Sequence, residues 1–152
     1  MEFLSSKNIM LDQCADSRYE VLQLISHRAK QLHITDNADD VYKSFLDREK
    51  LGVTGMTEGF AIPHAKCAAI NQAAIILFKN DKKLDWPSFD DKPVDIIIAL
   101  FVPDCEAGTT HIKLLSKTAV LLMDDDFKKL VRSTSDPQGI VDAINMELEK
   151  DD

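Results

Sequence analysis

The sequence predicts an α/β fold, a three-layer α/β/α sandwich in which a small mixed β-sheet is flanked by helices on both faces. Two segments, residues 73–78 and 94–102, are apolar runs rich in isoleucine and interrupted only by Asp95, which is typical of strands covered on both faces. Apolar residues at helical spacing precede and follow these runs, so helices are available for both sides of the sheet. No linker or repeat divides the 152 residues, and we expect a single domain over 1–152.

The chain is predicted to begin with a strand and a helix. A short strand is expected within residues 3–9. The segment Ser17-Arg-Tyr-Glu20 has the form of a capping box, in which the serine oxygen accepts a hydrogen bond from the first turn of a helix. Apolar residues follow it at helical spacing: Leu22, Ile25, Ala29 and Leu32. We therefore expect a first helix that buries one stripe and ends near His33.

A second helix is predicted to follow Asp36-Asn37, because both side chains offer oxygens that accept bonds from a helix N-terminus. Gly52 is expected to end it. Val41, Phe45 and Arg48 share one stripe of this helix. The guanidinium group of Arg48 is therefore expected at the edge of an otherwise apolar face.

The segment Thr54-Gly-Met-Thr-Glu-Gly-Phe-Ala-Ile-Pro-His-Ala-Lys66 places one histidine directly behind a proline. Residues 60–62 predict a short apolar strand, and Pro63 should end it because proline donates no backbone hydrogen bond. The imidazole of His64 is then expected at a sheet edge, facing an opening. With an ordinary pKa of about 6.5, it suits a neutral nucleophile. A histidine that merely caps a strand end fits the residue type equally well.

Residues 80–93 are polar and contain two prolines, so we expect a long irregular connection between the apolar runs. The following helix is expected to be capped by Thr109 or Thr110 and to run through Met123. His111 lies in its first turn. The inward stripe of this helix is predicted to contain His111 together with Leu115, Ala119 and Leu122.

The last part of the chain is predicted to be helical. Asp124-Asp-Asp126 is interpreted as a helix break and a solvated cap, because three adjacent carboxylates rarely converge on one cation. Ser135-Asp-Pro137 opens a final helix with proline at the tolerated first position. Its inward residues are predicted to be Ile140, Ile144 and Leu148.

Charge and composition exclude several classes of function. The net charge of −8 argues against a nucleic acid partner and against an anionic membrane surface. No apolar run approaches the ~20 residues of a membrane span, and the N-terminus lacks the order of a signal peptide. We therefore expect a cytoplasmic protein with no direct membrane insertion. Three widely spaced cysteines suit reduced thiols: Cys14, Cys67 and Cys105.

Residues 56–65, Met-Thr-Glu-Gly-Phe-Ala-Ile-Pro-His-Ala, resemble the active-site signature of the fructose/mannitol-type enzyme IIA (EIIA) domains of the bacterial sugar phosphotransferase system (PTS). Arg48-Glu49 is similar to the family's arginine–glutamate pair, and residues 108–116 are similar to its second-histidine helix. Asp85-Trp86 and Asp91-Lys-Pro-Val94 are similar to the fructose-type connection between two strands. The likeness covers nearly the whole chain.

The resemblance implies a phosphocarrier. In such a domain His64 would accept a phosphoryl group from the histidine-containing phosphocarrier protein (HPr), form a tele-phosphohistidine, and pass the group to enzyme IIB (EIIB). EIIB serves a membrane permease, EIIC, that phosphorylates the sugar during uptake, here of the fructose type. Some relatives of the nitrogen-related type are regulatory instead, and their phosphorylation state controls binding to other proteins. This regulatory alternative stays open.

The residue types suit such a transfer with neither a metal nor a cofactor. Arg48 offers a planar fork of donors for phosphate oxygens, and His111 can donate to a phosphoryl oxygen from the positive end of a helix. Arg48 as a surface arginine and His111 as a capping residue are the alternatives. A metal site or Cys–His hydrolase on His64 and Cys67 is a further alternative, although no other residue has ligand spacing.

Overall fold

The computed structural model describes residues 4–106 and 108–150. Five strands and five α-helices occur in these ranges, with two short 3-10 helices. In chain order the elements are a 3-10 helix Ser6–Asn8, β1 Ile9–Gln13, α1 Arg18–Gln31, α2 Ala38–Leu51, β2 Phe60–Ala61, β3 His64–Cys67, β4 Ala74–Leu84, β5 Val94–Pro103, a 3-10 helix Asp104–Glu106, α3 Thr109–Leu122, α4 Asp125–Ser133 and α5 Pro137–Glu149.

The five strands form one mixed sheet in the order β1-β4-β5-β2, with β3 also paired to β5. The β4–β5 pair is antiparallel, whereas β1 with β4, and β2 and β3 with β5, are parallel. The strands β2 and β3 follow one another along the same side of β5, since Phe60 lies opposite Ile96 and His64 opposite Leu100. The register is the same in both segments, so the chain resumes its pairing after the proline.

Two apolar clusters lie on the two faces of the sheet, which confirms the three-layer architecture. The first core joins the sheet to α1 and α2, through residues that include Val21, Leu22, Ile25, Val41, Phe45, Ala65 and Phe101. The second core joins it to α3, α4 and α5, through residues that include Phe60, Ile62, Leu100, Leu114, Phe127 and Ile144. Alternate residues of β2, β3 and β5 therefore face opposite layers.

Local capping sets the starts of most helices, as predicted. The Ser17 oxygen accepts from the Glu20 N–H at 3.1 Å, and the Asn37 oxygen accepts from the Asp40 N–H at 3.1 Å. Gly52 ends α2. Asp124 caps α4, so the predicted helix break is confirmed. Further along, Asp136 caps α5 and Pro137 is its first residue.

The predicted first strand is present as β1, but in the part of the chain that the structure describes it begins later than expected. Residue 3 lies outside the described ranges, and residues 6–8 form the 3-10 helix, with β1 beginning only at Ile9. Ser5 and Asn8 close this turn through a reciprocal capping box. The Asn8 amide also donates to the Ile75 carbonyl at 2.9 Å. These side-chain bonds compete with a ladder, so the strand starts after them.

The predicted irregular connection 80–93 is too long at its start, because β4 continues to Leu84. The pairing with β5 is irregular between Lys79 and Leu84. Asn80 explains the continuation: its buried side chain accepts from the Ala15 N–H at 2.7 Å and donates to the Ala15 carbonyl at 3.0 Å. The irregular connection therefore spans only 85–93.

The predicted cap of α3 is wrong, and its predicted inward stripe is wrong in part, since His111 packs inward against His64 whereas Leu115 is exposed. The N-cap is Gly108 without a side-chain bond, and Thr109 and Thr110 are already inside the helix. Its buried face contains Leu114, Thr118 and Leu121. Leu115 is 36% exposed and Ala119 is half-buried, whereas Leu122 is half-buried and packs against the second core. Apolar residues surround most of α3, so spacing alone did not select the face that packs.

Candidate functional site

Residues 57–60 of the signature segment form a tight turn, and a side chain of α4 binds to this turn. Glu58 and Gly59 both have positive φ, 58° and 87°, and the Phe60 N–H donates to the Thr57 carbonyl at 3.2 Å. Arg132 of α4 donates to the Glu58 carbonyl at 2.6 Å. The φ of 87° at Gly59 lies in the left-handed region that only glycine adopts without steric cost, so the backbone conformation favours glycine here.

A polar network beneath the signature fixes the end of α2. The Thr54 hydroxyl donates to the Glu49 carboxylate at 2.6 Å and accepts from the Trp86 indole at 3.0 Å. Arg18 of α1 pairs with the same carboxylate at 3.3 Å. Burial raises the pKa of Glu49, while Thr54 and Arg18 oppose that shift. This network orients the turn that carries Arg48, and its role was not predicted from the sequence.

The proline interrupts the edge strand for only a short stretch. The Pro63 carbonyl accepts from the Leu100 N–H at 3.0 Å, and His64 is the first residue of β3. The prediction that Pro63 ends the strand before His64 is therefore wrong, although the placement of His64 on an edge strand is confirmed, because β5 is the one strand that pairs with β3 within the described residues. The side chain of Ser44 on α2 covers the other edge of β3.

His64 is buried, which corrects the expectation that it faces an opening. Only 8% of the surface of this residue is exposed to solvent. The His111 ring lies against it, with ring centroids 5.2 Å apart and an interplanar angle of 71°. Within residues 4–106 and 108–150, neither ring nitrogen of His64 and not the Nε2 of His111 has a hydrogen-bond partner. Both rings thus keep free nitrogen atoms for a bound group.

Burial and nearby cations keep both histidines neutral. The pKa of His64 is lowered to about 4, first by burial, then by the charge of Arg48 and by the repulsion that protonating both His64 and His111 would cause. The pKa of His111 is also lowered, by burial, by Lys66 and by Arg48. A neutral imidazole has the lone pair that a nucleophile needs, and the same positive charges favour an anion at this point.

Arg48 lies in the last turn of α2, and its charge acts on both histidines. One of its amino groups donates to the Gly52 carbonyl at 3.3 Å. The carboxylate of its neighbour Glu49 binds Arg18 and Thr54. The structure thus brings together the three residues predicted from the sequence: Arg48, His64 and His111.

The depressed pKa of His64 predicts a dependence of stability on pH. The folded value is about 4 and the ordinary value is 6.5, so the unfolded chain binds the proton first as the pH falls. The contribution of neutral His64 to the free energy of unfolding is therefore complete above pH 6.5. It decreases as the pH falls toward 4, by roughly 3 kcal/mol in total. We expect the stability of His64→Gln relative to wild type to increase by about 2 kcal/mol between pH 7.5 and pH 5 in urea unfolding. A difference independent of pH would contradict a neutral buried His64.

Cys67 does not join His64 in a dyad. It packs against the first core, on the face of the sheet opposite to the second core. Burial is the first cause of its raised pKa, which disfavours the thiolate. All three cysteines are free thiols, and no group of three potential metal-binding side chains occurs in the described ranges. Over the same ranges, every helix falls short of the length and hydrophobicity that a bilayer span requires.

A sequence profile of the family described as phosphoenolpyruvate-dependent sugar phosphotransferase system, EIIA 2, matches residues 2–147. The chain belongs to this family. The resemblance stated from the signature is thereby confirmed, and membership in the PTS EIIA family implies a part in phosphoryl transfer. The mixed α/β sandwich agrees with this assignment.

Its relatives include both sugar-specific and regulatory proteins. The chain is 34% identical over 129 residues to the nitrogen regulatory protein of Bradyrhizobium diazoefficiens, covering 85% of this chain and 83% of that protein. It is 32% identical over 130 residues to the PTS system 2-O-alpha-mannosyl-D-glycerate-specific EIIABC component of Escherichia coli K12. That match covers 85% of this chain but only 20% of the relative, so the chain spans about a fifth of its length.

One solved structure of a regulatory protein is similar to this chain over most of its length. The nitrogen regulatory protein IIA-Ntr from Neisseria meningitidis superposes with a TM-score of 0.86 at 26% identity, covering 93% of this chain and 96% of that chain. The relatives support the EIIA assignment, and they do not single out fructose as the sugar.

Proposed function

We propose that this chain is a phosphocarrier in which His64 accepts the phosphoryl group. The observation that carries this proposal is the contact between His64 and His111, 5.2 Å apart between ring centroids, beside the cationic Arg48. A second neutral imidazole and a guanidinium beside a neutral nucleophile suit a phosphoryl group better than a metal ion. The signature around His64 agrees with this role.

The transfer step exchanges one P–N bond for another. The lone pair of the His64 Nε2 forms a bond to phosphorus while the bond from phosphorus to the donor histidine breaks. The electron pair of that bond returns to the donor ring. The His64 ring gives up the proton of its other nitrogen and the donor ring takes one up through solvent, so the proton count is unchanged. Arg48 stays protonated throughout.

His111 and Arg48 stabilise the transferred group in this proposal. The N-cap of α3 is Gly108, which provides no side-chain cap, so the first-turn N–H groups stay available for an anion. The Nε2 of His111 has no partner in the part of the chain that the structure describes and can donate to a phosphoryl oxygen. Arg48 provides a second, charged donor.

The proposed donor is HPr and the proposed acceptor is an EIIB that serves an EIIC permease in fructose-type sugar uptake. One relative carries the EIIA, EIIB and EIIC components under a single name. The chain would act in the cytoplasm as one domain of residues 1–152, without inserting in the membrane and without binding nucleic acid. Its net charge of −8 supports the last point.

A regulatory role is the second candidate, because nitrogen regulatory proteins of several bacteria match most of the chain. In that case the same phosphohistidine would control binding to a target protein. Incubation with phosphoenolpyruvate, enzyme I and HPr tests the shared step: the wild type should gain one acid-labile phosphoryl group. Rapid onward transfer to an EIIB then supports uptake, and a stable phosphoprotein with phosphorylation-dependent binding to a non-PTS protein supports regulation.

Partner docking is expected on the apolar surface next to the histidines. We define the docking face as four exposed residues: Leu51, Val53, Ile112 and Leu115. The first two flank Gly52, which Arg48 contacts, and the last two lie on α3 beside His111. Both partners must reach His64, which is only 8% exposed, so contact has to occur on the surface beside it.

The substitution Ile112→Asp should lower the rate of phosphoryl transfer from HPr about tenfold, because it places a charge in an apolar contact between the two proteins. The matched control is Met146→Asp on α5, another exposed apolar residue. Amide shift mapping with HPr should show changes near His64 and the docking face. Shifts centred on Met146, or equal effects of both substitutions, would refute this location.

A further inference from the structure

Lys66 lies on the same face of β3 as His64. The register pairs Phe60 with Ile96, His64 with Leu100 and Lys66 with Val102, with no slip across the proline. Side chains alternate along a strand, so positions 64 and 66 point to the same layer. Leu100 and Val102 belong to the second core, which contains α3. The Lys66 side chain therefore projects toward the layer that carries His111.

The backbone of Lys66 is fixed to the helix that carries Arg48. The Lys66 N–H donates to the Ser44 oxygen at 3.0 Å, and the Ser44 hydroxyl donates to the Lys66 carbonyl at 3.3 Å. Ser44 precedes Arg48 by four residues, about one turn of α2. The same contact thus holds the two elements that present Lys66 and Arg48, and it sets their relative position beside His64.

The Lys66 ammonium has no hydrogen bond or ion pair within residues 4–106 and 108–150. Other lysines are engaged, as Lys79 is with the carbonyl of Val131 at 2.9 Å and Lys82 is with Asp16 at 2.5 Å. Lys66 is exposed, so its ammonium can move without breaking a bond. The positive charge of Lys66 lowers the pKa of His111, and among the charged groups its effect is larger than that of Arg48. The Lys66 ammonium is thus a charged group beside the histidines that binds no other group within the described ranges.

We propose that Lys66 is a further catalytic residue, whose ammonium binds an oxygen of the phosphoryl group during transfer to and from His64. The inference rests on the proposed function of His64. A phosphoryl group has three oxygens, and its charge is spread over them during transfer. Arg48 and His111 supply two directed donors, and Lys66 adds a mobile point charge.

The experiment compares two phosphoryl donors of different size. One is phosphorylated HPr, which must dock on the protein, and the other is phosphoramidate, a small anion that needs no docking surface. The variants are Lys66→Ala and Lys66→Arg, with Lys30→Ala as a charge-matched control on an exposed site of α1. Initial rates of His64 labelling are measured with both donors, together with thermal melts of each variant.

We expect Lys66→Ala to slow labelling about tenfold with both donors, with an unchanged melting temperature, and Lys66→Arg to retain most of the rate. Lys30→Ala should label at the wild-type rate. A rate loss with HPr alone would mean that Lys66 contacts the partner and not the phosphoryl group, which overturns the inference. Equal rates for Lys66→Ala and wild type overturn it as well.

Two further outcomes keep this test separate from the proposed function. A wild type that gains no label from either donor refutes the phosphocarrier function and the inference with it. A wild type that labels at His64 while Lys66→Ala labels equally fast refutes only the role of Lys66. If Lys66→Ala melts early, Lys66→Met keeps the length of the side chain without its charge and is measured in its place.

Discussion

The substitution His64→Ala should abolish phosphorylation of the chain by phosphoenolpyruvate, enzyme I and HPr. The wild type should gain one phosphoryl group that is lost in mild acid, as expected of a P–N bond. Of the two histidines brought into contact, His64 lies within the signature and has its pKa lowered to about 4, so it is neutral and nucleophilic throughout the physiological range. Intact-mass spectrometry before and after acid treatment measures the result.

The matched control for this prediction is His27→Ala, which removes a histidine of α1 that we assign no function. It should label like the wild type. Because His64 is buried, its removal leaves a void, so a melt of His64→Ala must show that the fold persists. Label that remains on folded His64→Ala, or label that resists mild acid, would show that another residue is the acceptor.

The substitutions His111→Ala and Arg48→Ala should leave His64 as the acceptor but slow its phosphorylation roughly a hundredfold or more. Loss of one preorganised donor at the centre where charge develops costs about 3 kcal/mol. His111 contacts the His64 ring at 5.2 Å between centroids, and Arg48 lowers the pKa of both histidines, so both groups act on the same point. Rapid-quench transfer from HPr and to EIIB gives the rates.

Arg48→Lys should restore only part of the rate, because an ammonium lacks the two parallel donors of a guanidinium. The competing view of His111 as a simple capping residue predicts a small loss of stability and near-normal transfer. The N-cap residue of α3 is Gly108, and the His111 ring lies against the His64 ring. A stable His111→Ala protein that transfers at the wild-type rate would end the catalytic interpretation of His111.

The sequence alone determined the family, the fold class and most element boundaries. Capping serines, asparagines and aspartates act within one turn of the residues they bind, so Ser17, Asn37 and Asp136 predicted helix starts correctly. The isoleucine-rich runs predicted the two central strands because strands covered on both faces need apolar residues at every position. The signature around His64 predicted the candidate site for the same local reason: its residues are adjacent in the chain.

Long-range packing decided what the sequence left open. The burial of His64 depends on α3, which follows it by more than forty positions and places His111 over its ring. Tertiary packing also determined which face of α3 is buried, because apolar residues surround most of that helix. Leu114 is buried against the sheet, whereas Leu115 is exposed. The position of Lys66 beside the histidines arises in the same way. It depends on the register of β3 with β5 and on the bond from Ser44, and neither follows from spacing along the chain.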